Sequence, residues 1–312
     1  MAFTAATAFA PATVGNVGVG FDILGHSFAV IGDRIRAVRT DSPRVRITSV
    51  TGTTESLPRE AALNTAGKAV QSLAEALSLP FGIDLSVDKG IPLGSGLGGS
   101  AASAVAAVVA ANELLDRPLP PLELLKHAIA GEAVATGSRH ADNVAAALFG
   151  GLVLTVGIDN PRIKQIPVPP TIRCVLLHPR MFLSTRDARS ILARQVDLSD
   201  IVWQMANLAG FLAGCYTNDI ALIREAFEDI IIEPQRAKLI PGFGAVKRAA
   251  LAAGALGCSI SGAGPSVFAW CQQAEASGIR DSMLQAFGAH GVECDQWIAP
   301  IGSDGAHVVE RR

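Results

Sequence analysis

The densest chemistry in the chain lies in residues 90–112, GIPLGSGLGGSAASAVAAVVAAN. Gly94, Gly96, Gly98 and Gly99 strip the side chains from one tight segment, so backbone amides can approach an anion directly. Ser100 then opens a helix of Ala, Val and Ser. The first amides of a helix lack internal acceptors, and its dipole places partial positive charge there. Loop and helix start together predict a phosphate cradle, the alternative being a glycine linker before a core helix. Neither of the two common phosphate motifs accounts for it. Gly94, Gly96 and Gly99 fit G-x-G-x-x-G, with Asp116 near the spacing of a ribose-binding acid. The preceding GIDLSVDK, however, alternates polar and apolar where a buried parallel strand would be continuously apolar, and Asp116 sits in DRPLPP, a helix exit. No G-x-x-x-x-G-K-[ST] string occurs.

Three further groups of side chains could do chemistry. Leu122, Leu125 and Ile129 recur at helical spacing in PLELLKHAIAGEAVATG, and Glu132 falls next on that apolar stripe. A carboxylate there needs a partner, either an ion pair with Arg139 or a magnesium ion facing the cradle. His140, Asp142 and Asn143 cluster before an Ala-rich helix, as an N-cap or as a substrate loop. The shaped loop PATVGNVGVGFDILG offers Asn16 and Asp22, either as local caps or as ligand contacts. Asp22, between Phe21 and Ile23, calls for a cationic partner. No G-x-S-x-G elbow supports serine hydrolysis.

The elements that must position these groups follow from pattern. Residues 2–10, 28–40 and 44–50 read as strands, and 61–79 as a helix. Apolar density falls and prolines gather in GIDNPRIKQIPVPPT, which places a domain boundary there, dividing the chain into 1–160 and 161–312. The second part begins with a strand, 172–179, and a helix from Ser184, on which Thr185 and Arg189 share a face. Helices follow at about 199–214 and 218–228, then Arg236 beside a turn. The order helix 243–254, strand 256–261, strand 265–271, helix 274–289, strand 292–299 fits a split β-α-β sheet, with Gly262 and Gly264 in a hairpin or a third glycine loop. Hydrophobic residues make up 49% and charged residues 17% of the 312, so the chain can bury a sizeable core. Net charge is −2 without a basic run, which leaves no electrostatic footprint for nucleic acid. No stretch is long and apolar enough for a bilayer span, and no secretory leader is evident. Five cysteines without C-x-x-C spacing suggest reduced thiols in a cytoplasmic protein.

Three segments in this order, APATVGNVGVGFDILG, IPLGSGLGGSAASA and SISGAGPSVFA, resemble the signature of the GHMP kinases. The second is similar to that family's phosphate loop, P-x-x-x-G-L-G-S-S-A-A. The forms N-V-G-x-G-F-D, RHADNVAAALFGG, S-T-x-x-A-R and E-P-x-R-x-x-x-I-P-G resemble its homoserine-phosphorylating members. Gly99 stands where the family has the first of two serines, and Ala141 where it has a proline. The resemblance implies an α+β, two-domain fold: an N-terminal α/β nucleotide domain and a C-terminal ferredoxin-like split β-α-β domain. It implies an ATP- and Mg²⁺-dependent transfer to the hydroxyl of L-homoserine in threonine synthesis. The alternatives are another small alcohol such as mevalonate, or a non-catalytic ligand sensor. ATP would lie on Pro92, Leu93, Gly94, Ser95, Gly96, Leu97, Gly98, Gly99 and Ser100, with Asn64 and Lys89 on the nucleotide side. Ser100 and Glu132 would hold Mg²⁺. Asn16, Asp22, His140, Asp142, Arg189, Arg236 and Gly262 would contact homoserine, with Asn16, Asn143 and Arg189 acting in catalysis. The family's habit implies a homodimer.

Overall fold

The computed structural model describes residues 3–53, 56–137, 141–157 and 160–312. The N-terminal part runs β1 (Ala5–Gly15), β2 (Leu24–Thr40), β3 (Val45–Gly52), α1 (Thr65–Leu77), β4 (Gly82–Lys89), α2 (Gly99–Asn112), α3 (Pro121–Thr136), α4 (Asp142–Phe149), β5 (Leu152–Val156) and β6 (Arg162–Ile166). The C-terminal part runs β7 (Ile172–Pro179), α5 (Thr185–Ser190), α6 (Leu198–Thr217), α7 (Ile220–Glu225), α8 (Glu233–Arg236), α9 (Phe243–Ala252), β8 (Gly257–Ile260), β9 (Val267–Gln272), α10 (Ala276–Gly288), β10 (Cys294–Pro300) and β11 (His307–Arg311).

Among the described residues the strands form a seven-stranded and a four-stranded sheet. In the first, the order is β11-β1-β2-β4-β3, with β5 joining the far end of β2 and β6 pairing with β5. β3 and β4 are parallel and are joined through α1. In α2, eleven of the fourteen residues are buried, almost all of them Ala, Val or Ser. A helix apolar on every side belongs in the core, and its small side chains let β1, β2, α1 and α3 close around it. Asn64 starts α1 by accepting the amides of Ala66 and Gly67 at 3.0 and 3.3 Å. Pro121 opens α3, and Gly137, left-handed at φ 71°, closes it.

The second sheet is antiparallel in the order β10-β7-β9-β8, the ferredoxin-like arrangement expected from β7-α9-β8-β9-α10-β10. Its own core gathers Val175, Leu177, Val246, Ile279, Met283 and Phe287 under α9 and α10. Its other face meets the first sheet through Trp270, whose indole nitrogen donates to Nε2 of the buried His26 at 3.3 Å.

Several expected boundaries shift. The first strand does not end at residue 10; it continues as β1 to Gly15, with a register shift at Pro11/Ala12 that absorbs the proline. Strand β2 begins earlier than expected, at Leu24. The division at 160/161 falls inside the β5–β6 hairpin, and β11 returns from the C-terminus to pair with β1, so the first sheet draws strands from both expected segments. Strands β6 and β11, RIKQI and HVVER, are edge strands with mostly exposed residues, and their sequences carry no clean apolar alternation.

Candidate active site

The glycine run forms one wall of a cleft of about 530 Å³ between the two parts of the chain. Its backbone has a defined polarity. The carbonyl of Gly94 accepts from the Leu183 amide, Ser95 from Ser266, and Leu97 from Thr13, at 3.0–3.2 Å. Gly96 accepts from the Ser261 hydroxyl at 2.8 Å, Gly98 from the Ala102 amide at 2.8 Å, and Gly99 from Lys89 Nζ at 2.8 Å. Consecutive carbonyls are thus tied to the scaffold, and among the described residues no amide from Gly94 to Gly98 donates a hydrogen bond. That is the polarity of an anion cradle. A Cβ on Gly96, at φ 75°, would stand 2.5 Å from the Gly264 carbonyl, and one on Gly98, at φ 64°, 2.0 Å from Thr13 Oγ1. The loop needs glycine at both positions.

At the far end of the cradle Ser100, in the first turn of α2, donates to Glu132 Oε1 on α3 at 2.9 Å. Burial pushes the Glu132 carboxyl up to about 8, and the Ser100 hydrogen bond only partly offsets it. Two hard oxygen donors beside the end of the glycine loop fit a divalent cation, which would hold the carboxyl ionised. Among the described residues no group of three or more His, Cys, Asp or Glu side chains could hold a metal ion, so such an ion would take its remaining ligands from phosphate and water. Arg139, the alternative partner of Glu132, lies outside the described residues.

The opposite wall carries the polar side chains. Arg189 on α5 holds Asp22 with both arms, at 3.0 and 2.7 Å, and is the cation that Asp22 called for. Arg236 on α8 donates to the carbonyls of Gly262 and Ala188 at 2.8 and 3.2 Å. Burial and nearby Arg189 lower its guanidinium to about 10, which leaves it charged at neutral pH. Both guanidinium groups flank the ring of Phe21, at 5.3 and 5.2 Å. Asn16 donates to the same Gly262 carbonyl at 2.8 Å and accepts the Asp22 amide at 3.1 Å. Asn16, Val17 and Asp22 all have positive φ, at 68°, 46° and 63°, so the loop that presents them is strained.

Asp142 is the first residue of α4 rather than its cap, which is Ala141. Its carboxyl is buried, and burial together with the charge of Asp22 raises it to about 7. Asn143 donates to Asp142 Oδ2 at 3.0 Å, and its Oδ1 accepts from Thr13 Oγ1 at 2.6 Å. Thr13 is buried behind the cleft wall and supports a residue that lines it, a role the sequence pattern does not show. Its one signal was a lone hydroxyl in an otherwise apolar PATVG segment, and in the fold it orients Asn143 while its amide holds Leu97.

The cleft therefore brings together Asn16, Asp22, Pro92, Leu93, Gly94, Ser95, Gly96, Leu97, Gly98, Gly99, Ser100, Glu132, Asp142, Asn143, Arg189, Arg236 and Gly262. Two expected nucleotide contacts are not among its lining residues. Asn64 spends its side chain capping α1 and bonding the Pro58 carbonyl. Lys89 is buried beneath the loop, its ammonium surrounded by Asp33, Gly99 and Ser103. His140 lies outside the described residues.

The chain is similar to known proteins along nearly its whole length. Residues 64–151 match the GHMP kinases N terminal domain and 211–290 match GHMP kinases C terminal. Homoserine kinase of Xanthomonas campestris pv. campestris is 50% identical over 305 residues, covering 97% of this chain and 94% of the relative. That of Chlorobium phaeobacteroides is 43% identical over 316 residues, covering 97% and 99%. The crystal structure of homoserine kinase from Cytophaga hutchinsonii superposes with a TM-score of 0.94 at 44% identity, covering 98% of each chain.

Proposed function

The chain belongs to the GHMP kinase family, and on that premise we propose that its cleft transfers the γ-phosphoryl group of ATP to the side-chain hydroxyl of L-homoserine, giving O-phospho-L-homoserine for threonine synthesis. The observation that carries this reading is the coexistence of two recognition surfaces in one cleft. One is a glycine loop with its carbonyls tied outward; the other holds two carboxyls and two guanidinium groups. An amino-acid alcohol needs acids for its ammonium, supplied by Asp22 and Asp142, and arginines for its carboxylate, supplied by Arg189 and Arg236.

The catalytic work is positioning and charge neutralisation. The cradle amides and the start of α2 bind the triphosphate. Asn16 and Asn143 orient the hydroxyl oxygen, which forms a bond to the γ-phosphorus as the bond to ADP breaks; the hydroxyl proton passes to a phosphoryl oxygen. Ser100 and Glu132 would hold Mg²⁺, which when bound neutralises charge on the β- and γ-phosphates. A homodimer belongs to the same proposal, supported by the exposed Leu198, Val202, Trp203 and Met205 on α6, and sedimentation equilibrium tests it. No helix among the described residues is long and apolar enough to cross a membrane.

The test is ADP release with ATP and magnesium, offering L-homoserine, L-serine, L-threonine and mevalonate separately. Release selective for homoserine is expected. Release only with mevalonate would overturn the assignment of the acid–arginine wall, and ATP binding without release in any well would favour a sensor. Glu132→Ala is expected to abolish turnover while the protein stays folded.

A further inference from the structure

Lys89 and Asp33 lie under the phosphate cradle and do not line the cleft, and their side chains are 1% and 0% exposed. The ammonium of Lys89, at the end of β4, donates to Asp33 on β2, to the Gly99 carbonyl at 2.8 Å and to Ser103 Oγ at 2.9 Å. Three donors meet three acceptors. Asp33 is equally occupied: Oδ2 also accepts from Ser103 Oγ at 2.6 Å, and Oδ1 accepts the amides of Gly90 and Ile91 at 3.1 and 3.2 Å.

The placement of these bonds matters more than their number. Gly90 and Ile91 lead into the glycine loop; Gly99 and Ser103 lead out of it into α2. The pair therefore grips both ends of the segment whose amides form the cradle. Close packing fixes the same two ends. A Cβ on Gly90 would stand 2.1 Å from the Gly32 carbonyl, and one on Gly99 would stand 3.1 Å from Ile91 and 3.4 Å from Lys89 Nζ. A buried ion pair is often replaceable by apolar residues without loss of stability, so its stability contribution alone does not explain it.

We propose that the Lys89–Asp33 pair, with Ser103, is a positioning device for phosphoryl transfer that clamps the two ends of the glycine loop and so fixes the aim of its amides at the nucleotide. Lys89 acts through the Gly99 carbonyl and not by touching ATP. The proposal rests on the kinase reading above, and a readout independent of the phosphoryl acceptor separates the two.

The experiment compares full-length wild type with Asp33→Leu/Lys89→Met, which removes both charges together, and with Ser103→Ala, which removes one hydroxyl from the network. Each is measured for thermal melting, for affinity toward a fluorescent N-methylanthraniloyl ADP, and for kcat and both KM values with homoserine. The double variant is expected to melt cooperatively, to lose about tenfold in nucleotide affinity and in kcat, and to keep its KM for homoserine within about twofold. Ser103→Ala is expected to shift the same quantities in the same direction by about threefold. A folded double variant with wild-type nucleotide affinity and kcat overturns the proposal. If the double variant does not fold, a folded Ser103→Ala with unchanged nucleotide affinity overturns it instead. Wild type that binds the fluorescent nucleotide but does not turn over homoserine would sink the substrate assignment, while the affinity comparison would still decide the clamp.

Discussion

Arg189 and Asp22 neutralise each other across the cleft, guanidinium to carboxylate through two hydrogen bonds of 3.0 and 2.7 Å. One partner is on α5 and the other on the loop between β1 and β2, so the contact joins the two parts of the chain. A bound amino acid carries both complementary charges. Its carboxylate can take the place of Asp22 on Arg189, and its ammonium the place of Arg189 on Asp22. An uncharged alcohol would break the pair and restore neither half.

Arg189→Lys is therefore expected to act as a severe change. Lysine keeps the charge but loses the two-pronged geometry. KM for homoserine should rise by about 10- to 100-fold, in the range of losing one charge-assisted hydrogen bond, while KM for ATP stays within about twofold. Steady-state kinetics with each substrate varied in turn checks this. An equal rise in both KM values would mean that Arg189 organises the whole cleft rather than the amino-acid end.

Asp142 sets an expected pH dependence. Burial, then Asp22, raises its carboxyl to about 7, and Arg189 acts in the opposite sense. The other charged groups near it among the described residues are Arg236 and Glu132. In the empty site the group is mostly protonated below pH 7, and a bound ammonium favours the carboxylate. Homoserine binding should therefore release a proton at pH 6, and affinity should rise as pH increases from 6 to 8. Calorimetry at pH 6 in buffers of different ionisation enthalpy measures that proton. Asp142→Asn should abolish the release; a wild-type proton count in that variant would assign it to another group.

The glycine loop and the buried helix after it were legible from residues 90–112 because their signal is local: glycines followed by a run of small residues. Strand β7 and the βαββαβ order of the C-terminal sheet were legible for the same reason. What sequence did not carry was pairing at a distance. Thr13 and Asn143 are 130 positions apart, and nothing local in either segment announces their 2.6 Å contact. Lys89 read as a nucleotide contact because a cation near a phosphate loop is most simply placed facing it. Its partner Asp33 comes from a strand 56 positions earlier, and that pairing turns the ammonium inward. β11 was invisible because it is an exposed edge strand whose register comes from β1 rather than from any apolar pattern of its own.

The close approach at Gly98 gives a steric prediction. Gly98→Ala would put Cβ 2.0 Å from Thr13 Oγ1 at a φ of 64°, where an L-residue is strained in any case. The substitution should displace the hydroxyl that orients Asn143 and lower kcat by about 100-fold, as expected of a small misplacement at the reacting centre. Thr13→Ala in the same chain removes the clashing oxygen and should recover part of the loss in a double-mutant cycle. Strictly additive effects would show that Thr13 and Gly98 do not communicate, and that backbone strain alone accounts for the defect.

His26 offers a prediction about stability rather than turnover. It is fully buried between the sheets, with its Nδ1 3.0 Å from the Ser27 carbonyl and its Nε2 accepting from Trp270. The Trp270 donor fixes the neutral tautomer with the proton on Nδ1. Burial lowers its pKa from 6.5 to about 4. Below pH 6.5 the unfolded chain takes up a proton that the native state refuses until about pH 4, so this histidine lowers stability as pH falls through that window, by up to about 3 kcal/mol at its lower end. Asp142 and Glu132 work in the opposite sense, because their carboxyls are raised and the native state holds their protons more tightly. The total curve therefore mixes signs, and the informative quantity is the difference between wild type and His26→Gln, which keeps a hydrogen-bonding side chain but does not titrate. Urea unfolding of both proteins at half-unit steps from pH 7 to 4 should show the variant gaining on wild type steadily below pH 6.5. Parallel curves would mean that water reaches His26 and that the contact between the sheets is looser than the Trp270 hydrogen bond implies.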